Sequence, residues 1–414
     1  MRSIVPSAAV LRQKYALVSA LRAQGFAIGS CEDGKPVASG LYLVAEGEIP
    51  PAPARTLILG EGARSAVPFS DGNPARLSFG SEDAAIGNGF VGAMLRGPGE
   101  PVAADPESLA LLALAERVAA SDITVLINGP TGTGKEVLAK AIHMNSSRRD
   151  GPFVAINCAA LPETMLEAML FGHQKGSFTG ASSGGQGFFR AANGGTLLLD
   201  EIAEMPIGLQ AKLLRALQER EVVPIGGTMP EKIDVRVIAC ANRDLQGEVL
   251  AGRFRADLYY RLSVFPLSTK ALAERPGDIP ALAAAMVLRH AGTRASLPWI
   301  SADALEILAD HDWPGNVREL ENVIQRALLL APGDTIEPEH LIFDRPPERR
   351  VETSGSLSNI VQIHEFQAIR ETLAACNGSR IETAKRLGIS ERTLRYRLAK
   401  AREQGEDIAR VMSA

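Results

Sequence analysis

From residue 123 to residue 268 the chain alternates short apolar runs with longer stretches that are apolar at every third or fourth position. ITVLINGP is an apolar run closed by turn residues, and KEVLAKAIHMN follows it with helical spacing. FVAIN, GTLLLDE and VRVIACAN repeat the apolar type, with helical segments such as GLQAKLLRALQER between them. Apolar runs this short and continuous predict strands buried on both faces, and intervening helices predict a parallel sheet covered on both sides. The expected fold class is therefore α/β. Ligands on such sheets bind beyond the carboxyl ends of the strands.

Two stretches interrupt the pattern. RGPGEPVAADPES, at 96–108, is dense in glycine, proline and acidic residues. DRPPERRVETSGSLSN, at 344–359, holds prolines and small polar residues that preclude a packed element. They predict an amino-terminal part (1–100), a central part (105–343), a linker (344–359) and a carboxyl-terminal part (360–414).

With 414 residues, 46% hydrophobic and 22% charged, the chain has ample material for several cores and is not a disordered polymer. No apolar stretch approaches the roughly 18–20 residues that cross a bilayer, so no membrane partner is expected. The opening MRSIVPSAAVLRQKY lacks the apolar core of a signal peptide. Cys31, Cys158, Cys240 and Cys376 show no metal-binding or paired spacing. A cytoplasmic protein is expected.

The net charge of −4 is unevenly spread. Residues 377–403 carry eight Lys/Arg against three Glu, a local +5, which leaves −9 on the remainder. A basic terminus on an acidic body points to an anionic partner. A solvated helix face is the alternative, and charge alone does not separate the two.

Gly129, Pro130, Thr131, Gly132, Thr133, Gly134 and Lys135 fit a phosphate-binding loop in its strand–loop–helix setting. Glycines let successive N–H groups turn toward phosphate oxygens, the following helix directs its positive end at them, and Lys135 adds a charge. Glu136 stands where a Ser/Thr magnesium ligand is usual. GGTLLLDE places Asp200 and Glu201 at a strand end, which suits a carboxylate for Mg2+ and one that orients the attacking water. An acidic helix cap would win if the pair stood alone; the preceding loop tips the balance to chemistry. In IETAKRLGISERTLRYRLAK, Gly388 separates two helical runs and Ser390 is a candidate N-cap. Ala384, Leu387 and Ile389 are placed to pack against Leu394 and Leu398. The second helix would present Arg392, Thr393, Arg395, Tyr396 and Arg397 to DNA.

The segments GPTGTGKEVLAKAIH, FVAINCAALPE, LFGHQKGSFTGA, GGTLLLDEI, LQAKLLRALQE, GRFRADLYYRLSVFPL and WPGNVRELENV occur in this order. In that order they resemble the AAA+ activators of sigma-54 RNA polymerase, the bacterial enhancer-binding proteins. In that family Glu136 is normal. The resemblance implies a P-loop ATPase with a helical lid that uses ATP and Mg2+. It implies that Asn157 restrains Glu201, that Asn242 is sensor I, and that Arg318 contacts nucleotide within its own subunit. Arg255 and Arg261 resemble arginine fingers reaching a neighbour's ATP, which implies self-assembly from dimer to hexameric ring; ion pairing with Asp257 is the plainer reading of both. Gly176, Ser177, Phe178, Thr179, Gly180 and Ala181 resemble the loop that grips sigma-54, and core packing is the plainer reading of Phe178. Ser177 replaces the family's alanine, a small-for-small change. Ala241 replaces the usual threonine beside sensor I, which is expected to weaken coupling between hydrolysis and loop motion. The carboxyl-terminal part resembles a Fis-type helix–turn–helix, implying a dimer on double-stranded enhancer DNA.

VSALRAQGFAIGSCEDGKPV followed by LYLVAEGEIPP resembles the start of a response-regulator receiver. Glu46 then stands where the phosphorylated Asp would be, and the acidic pair expected after the first strand is missing. A degenerate receiver under a regulatory protein partner, or a constitutive one, is expected; an unrelated small α/β domain is the other reading. Flagellar activators of this family often carry such incomplete domains. The expected function is an activator that binds enhancer DNA and uses ATP to convert sigma-54 holoenzyme from the closed to the open complex. A DNA-binding regulator that only senses nucleotide is opposed by Glu201, Arg255 and Arg261. A remodeller of another client is opposed by GSFTGA.

Overall fold

The computed structural model describes residues 2–30, 40–97, 99–177, 183–292 and 294–344, together with Thr372, Cys376 and residues 379–386. In the amino-terminal part, β1 (Ser3–Pro6) leads through α1 (Ala8–Gln13) and α2 (Tyr15–Ala23) to β2 (Ala27–Ile28). β3 (Leu41–Ala45), β4 (Thr56–Gly60), β5 (Ser65–Val67), β6 (Ala75–Ser78) and α3 (Ala84–Leu95) follow. The sheet order is β2-β1-β3-β4-β6-β5, with β5 alone antiparallel. Its five parallel strands thus follow the 2-1-3-4-5 order of flavodoxin-like sheets. Only a 3₁₀ turn (Pro53–Arg55) joins β3 to β4, and β5 alone lies between β4 and β6. Glu46 sits just past β3, where its carboxylate crosses over Gly60: a Cβ there would lie 2.8 Å from Glu46 Oε2.

α4 (Pro106–Ala119) opens the central part, and Asp105 caps it by accepting from Glu107 N. Its strands are β7 (Val125–Asn128), β8 (Phe153–Asn157), β9 (Thr196–Asp200), β12 (Arg236–Ala241) and β13 (Phe265–Ser268). They form an all-parallel sheet in the order β13-β7-β12-β9-β8. Successive side chains of a strand face opposite sides. Leu197 and Leu199 accordingly join one core with Val237 and Ala239, while Leu198 joins another with Ile238 and Cys240. Both faces being covered is what makes these runs apolar without alternation. The helices are α5 (Lys135–Met144), α6 (Glu163–Phe171), α7 (Phe188–Ala191), α8 (Ile207–Glu219), α9 (Leu245–Leu250) and α10 (Ala256–Leu262). A small hairpin pairs β10 (Glu221–Val222) with β11 (Glu231–Lys232).

The lid comprises α11 (Ile279–His290), α12 (Ala302–Asp310) and α13 (Asn316–Leu330), with β14 (Trp299–Ile300) paired to β15 (Thr335–Ile336). Its core is continuous with that of the amino-terminal sheet. α3 lies against α11, and Gly89 permits the approach: a Cβ there would fall 2.8 Å from the Pro280 carbonyl and 3.1 Å from Ala284 Cβ. Trp299 packs on Phe90 and Phe79, and Leu297 N donates to Ala66 O at 2.7 Å. The stretch predicted as a spacer at 96–108 is partly embedded, with Ala103 buried and Ala104 and Asp105 bonded to Asp278 of the lid. Its glycines and prolines mark turns rather than separation.

In the carboxyl-terminal part, α14 (Arg380–Arg386) is described. Ala384, expected to pack inward, is buried, and Thr383 Oγ1 donates to Ser379 O at 2.7 Å. Arg392, Thr393, Arg395, Tyr396 and Arg397 lie outside the described residues. Among the described residues no helix is long and apolar enough to cross a membrane.

Candidate functional site

The loop at 129–135 leaves the carboxyl end of β7 and enters α5. Two of its glycines are demanded by close contacts. A side chain at Gly129 (φ 149°) would run into Thr269, and one at Gly132 (φ 79°) into the Gly315 carbonyl of the lid. Lys135 is buried, and its Nζ donates to Gly129 O at 2.8 Å and Pro130 O at 2.9 Å. Burial holds its pKa below the ordinary lysine value. The Thr133 hydroxyl braces the loop, 2.8 Å from Thr269 Oγ1 and 2.9 Å from Pro130 O. Thr131 and Glu136 are exposed. The arrangement is a cradle of backbone dipoles around one cation, at the positive end of a helix, which favours a polyphosphate.

β9 carries Asp200 to the same sheet edge. Burial raises the Asp200 carboxyl above its ordinary value, against the opposing charges of Lys135 and Arg318. Glu201 adopts the left-handed conformation (φ 51°), and its N donates to Asp200 Oδ1 at 3.0 Å. A glutamate held there stores about 1–3 kcal/mol of strain, a frequent property of functional sites. Asn157 is in register with Asp200 across β8–β9, but its Oδ1 accepts from Ala159 N at 2.8 Å. Among the described residues no hydrogen bond joins Asn157 to Glu201; the turn takes the Asn157 oxygen and leaves its amide nitrogen, the group that would donate to a carboxylate. Asn242, just past β12, has a buried Oδ1 without a partner among the described residues. It lines a cleft of about 490 Å³ with Gly129 and Pro130. Ala241 is fully buried, and its carbonyl accepts from Gly129 N at 3.1 Å. Burial pushes the Cys158 thiol up to about 12, which leaves it inert beside the two acids.

The lid completes the site. Arg318, on α13, is exposed and near enough to lower the pKa values of both Lys135 and Asp200. Val317 N donates to Gly132 O at 3.0 Å, and Asn316 Nδ2 to Thr131 O at 2.9 Å. A second cavity, about 160 Å³, opens beside Thr133 and Gly134; Val102, Ala103, Val137 and Met286 are among its apolar walls. Its position and walls suit the flat base of a nucleotide whose phosphates lie in the loop. Asn316 and these walls are not singled out by the sequence pattern. The one local signal is that Asn316 lies two residues before Arg318 in WPGNVREL.

Arg255 and Arg261 are not part of this assembly. Arg255 makes two bonds to Asp257, at 3.0 and 2.8 Å, and Arg261 donates to Leu217 O at 2.9 Å. Arg261 shares a cleft with Thr124 and Val235, at the amino ends of β7 and β12, the opposite edge from the loop. Gly176 and Ser177 lie at the base of the remaining predicted loop; Phe178, Thr179, Gly180 and Ala181 fall outside the described residues. That base is pinned by reciprocal bonds between His173 and Gly185 (3.0 and 2.9 Å) and by Gln174 N to Ile225 O at 2.9 Å.

The Sigma-54 interaction domain family matches residues 102–268, the AAA+ ATPase lid domain 273–355, and the Bacterial regulatory protein, Fis family, 362–400. The response regulator protein FleR of Pseudomonas aeruginosa is 51% identical over 337 residues, covering 74% of this chain and 71% of FleR. The sigma54-dependent transcriptional activator SfnR of Pseudomonas putida is 43% identical over 314 residues, covering 71% of this chain and 86% of SfnR. Among solved structures, NtrX from Brucella abortus in complex with ADP superposes with a TM-score of 0.55 at 25% identity, covering 97% of this chain and 99% of that one.

Proposed function

This chain belongs to the sigma-54-dependent transcriptional activators, and from that premise we propose that it hydrolyses ATP across subunit boundaries of a ring to open the promoter complex. The observation that carries the reading is the meeting of Lys135, Asp200, Glu201, Asn242 and Arg318 around one phosphate cradle. The loop amides and Lys135 bind and neutralise the phosphates. Glu201, at the strand end, orients a water and accepts its proton as the γ-phosphoryl bond breaks. Asn242, which lines the cleft beside Gly129 and Pro130, orients that water, and Arg318 holds the phosphates from the lid. A hard cation takes oxygen ligands and is often shared between one carboxylate and the substrate, which Asp200 fits. Held by Asp200, Mg2+ would supply neutralisation of phosphate charge.

Arg255 and Arg261 act on the neighbouring subunit's nucleotide. Arg261's place at the opposite sheet edge supports this, since it is remote from its own loop. Phe178 and Thr179, with Gly176, Ser177, Gly180 and Ala181, grip sigma-54. Arg392, Thr393, Arg395, Tyr396 and Arg397 contact enhancer DNA. The amino-terminal part is a degenerate receiver, a reading supported by its 2-1-3-4-5 strand order; Glu46 at the end of β3 cannot serve as the usual phosphoacceptor, and control falls to a protein partner or is absent.

The test is open-complex formation by sigma-54 holoenzyme at a promoter carrying DNA the protein binds, with ATP or a non-hydrolysable analogue, beside a Thr179→Ala variant. Opening is expected only with ATP and only with the parent protein. Robust ATP turnover without opening under any nucleotide would sink the polymerase-remodelling step.

A further inference from the structure

Asp278 is a fully buried carboxylate at the start of α11, and it gathers donors from two distant stretches of chain. Its Oδ1 accepts from Ala104 N at 2.6 Å and Asp105 N at 2.7 Å. Its Oδ2 accepts from Ser108 Oγ at 2.5 Å and from an Arg275 terminal nitrogen at 3.2 Å. The other terminal nitrogen of Arg275 donates to the Thr133 carbonyl, inside the phosphate loop, at 2.8 Å. One buried ion pair thus joins the entry to α4, the phosphate loop and the lid. Ala103, Ser108, Thr133 and Arg275 all border the apolar cavity beside the loop, and the buried Arg275 Nε has no hydrogen-bond partner among the described residues.

Of these segments, the entry to α4 depends most on the pair. Residues 102–105 form no strand or helix, and among the described residues Asp278 is the polar side chain that draws Ala104 N and Asp105 N inward. A carboxylate accepting several N–H and O–H bonds fixes positions as well as charge. Leaving one partner of a buried pair alone is far worse than losing both, so the geometry depends on the two residues together. We propose that Arg275 and Asp278 are a positioning pair for the nucleoside end of the nucleotide. They set the walls of the base cavity against the phosphate loop.

The inference rests on the ATP-hydrolysis reading above, and the experiment separates the two. Steady-state ATP hydrolysis by the full chain is measured for the parent, Asp278→Asn and Arg275→Lys, with ADP and inorganic tripolyphosphate as competing inhibitors and melting temperatures taken without nucleotide. Asp278→Asn keeps the shape and the backbone bonds but releases Arg275. It should raise KM for ATP about tenfold and weaken ADP inhibition by a similar factor, while kcat changes less than about threefold. Inhibition by tripolyphosphate, which has no nucleoside, should stay within about twofold. Arg275→Lys keeps the charge but not the fork, and should give the same split. A parent protein that does not turn over ATP would sink the hydrolysis reading itself. Turnover by the parent with KM unchanged in both variants overturns the positioning role alone. Equal weakening of ADP and tripolyphosphate, or a fall in melting temperature and kcat with KM intact, also overturns it, because either outcome marks a general structural part.

Discussion

Asn316 Nδ2 donates to the Thr131 carbonyl at 2.9 Å, and the same side chain accepts from Leu272 N at 2.7 Å. One buried amide therefore fastens the phosphate loop to the lid, and its backbone sits in the left-handed region (φ 54°) that asparagine tolerates better than most residues. Arg318 follows two residues later, so its reach toward phosphate is set by this joint.

Asn316→Gly tests the joint while sparing the backbone conformation. It leaves Leu272 N unsatisfied and should lower stability by about 1–3 kcal/mol. Asn316→Ala adds backbone strain and should lower it by about 1–2 kcal/mol more. Denaturant melts of both variants check this. Equal stability of Gly, Ala and parent would show that the bonds contribute nothing.

Asp200 carries a folded-state pKa above its unfolded value because burial disfavours the charged form. The folded chain then holds that proton more tightly than the unfolded one, so the group favours folding when protonated and opposes it as pH rises. Asp200→Asn should melt higher than the parent in nucleotide-free protein at neutral pH. The gap should close as pH falls through the carboxylate range, and hydrolysis should be lost throughout. A variant that melts lower at neutral pH would contradict the burial argument.

Arg255→Ala or Arg261→Ala should lower ATP turnover by about 10³–10⁵ if each is a finger supplied in trans. Mixing Arg255→Ala with Lys135→Ala distinguishes this from damage within one subunit. The first has an intact cradle and the second an intact finger, so roughly a quarter of the interfaces in an equal mixture regain both. Turnover that stays at the level of the separate variants would place Arg255 in its own subunit's structure, as its pairing with Asp257 already allows.

Gly89→Leu probes the shared core of the amino-terminal part and lid. Even a Cβ would meet the Pro280 carbonyl at 2.8 Å, so overpacking should cost about 1–3 kcal/mol or more. Cutting the chain before residue 101 should be worse, because it strips α3 and the Phe79 and Phe90 rings from α11 and Trp299. Dye binding to exposed apolar surface and the melting temperature report both effects. A truncated chain as stable as the parent would show the contact to be dispensable.

What local chemistry can announce is legible in the order of residues. The strand–glycine–helix order at 129–135, the acids ending an apolar strand and the basic terminus are written in neighbouring residues, because a tight phosphate turn or a buried strand restricts residue type position by position. Ala384's burial and the α5 and α8 helices follow from the same local periodicity. The rest follows from contacts between distant stretches of chain. That Asn316 meets Thr131 and Arg275 meets Thr133 depends on chain separations of 185 and 142 residues. Nor does periodicity say which face a helix will cover: α3 is apolar nearly all round because it is sandwiched between its own sheet and the lid. The stretch at 96–108 reads as a spacer by composition, yet Asp278 draws it inward. Contacts of that range arise where two distant surfaces close on each other, and no local pattern encodes which surfaces those will be.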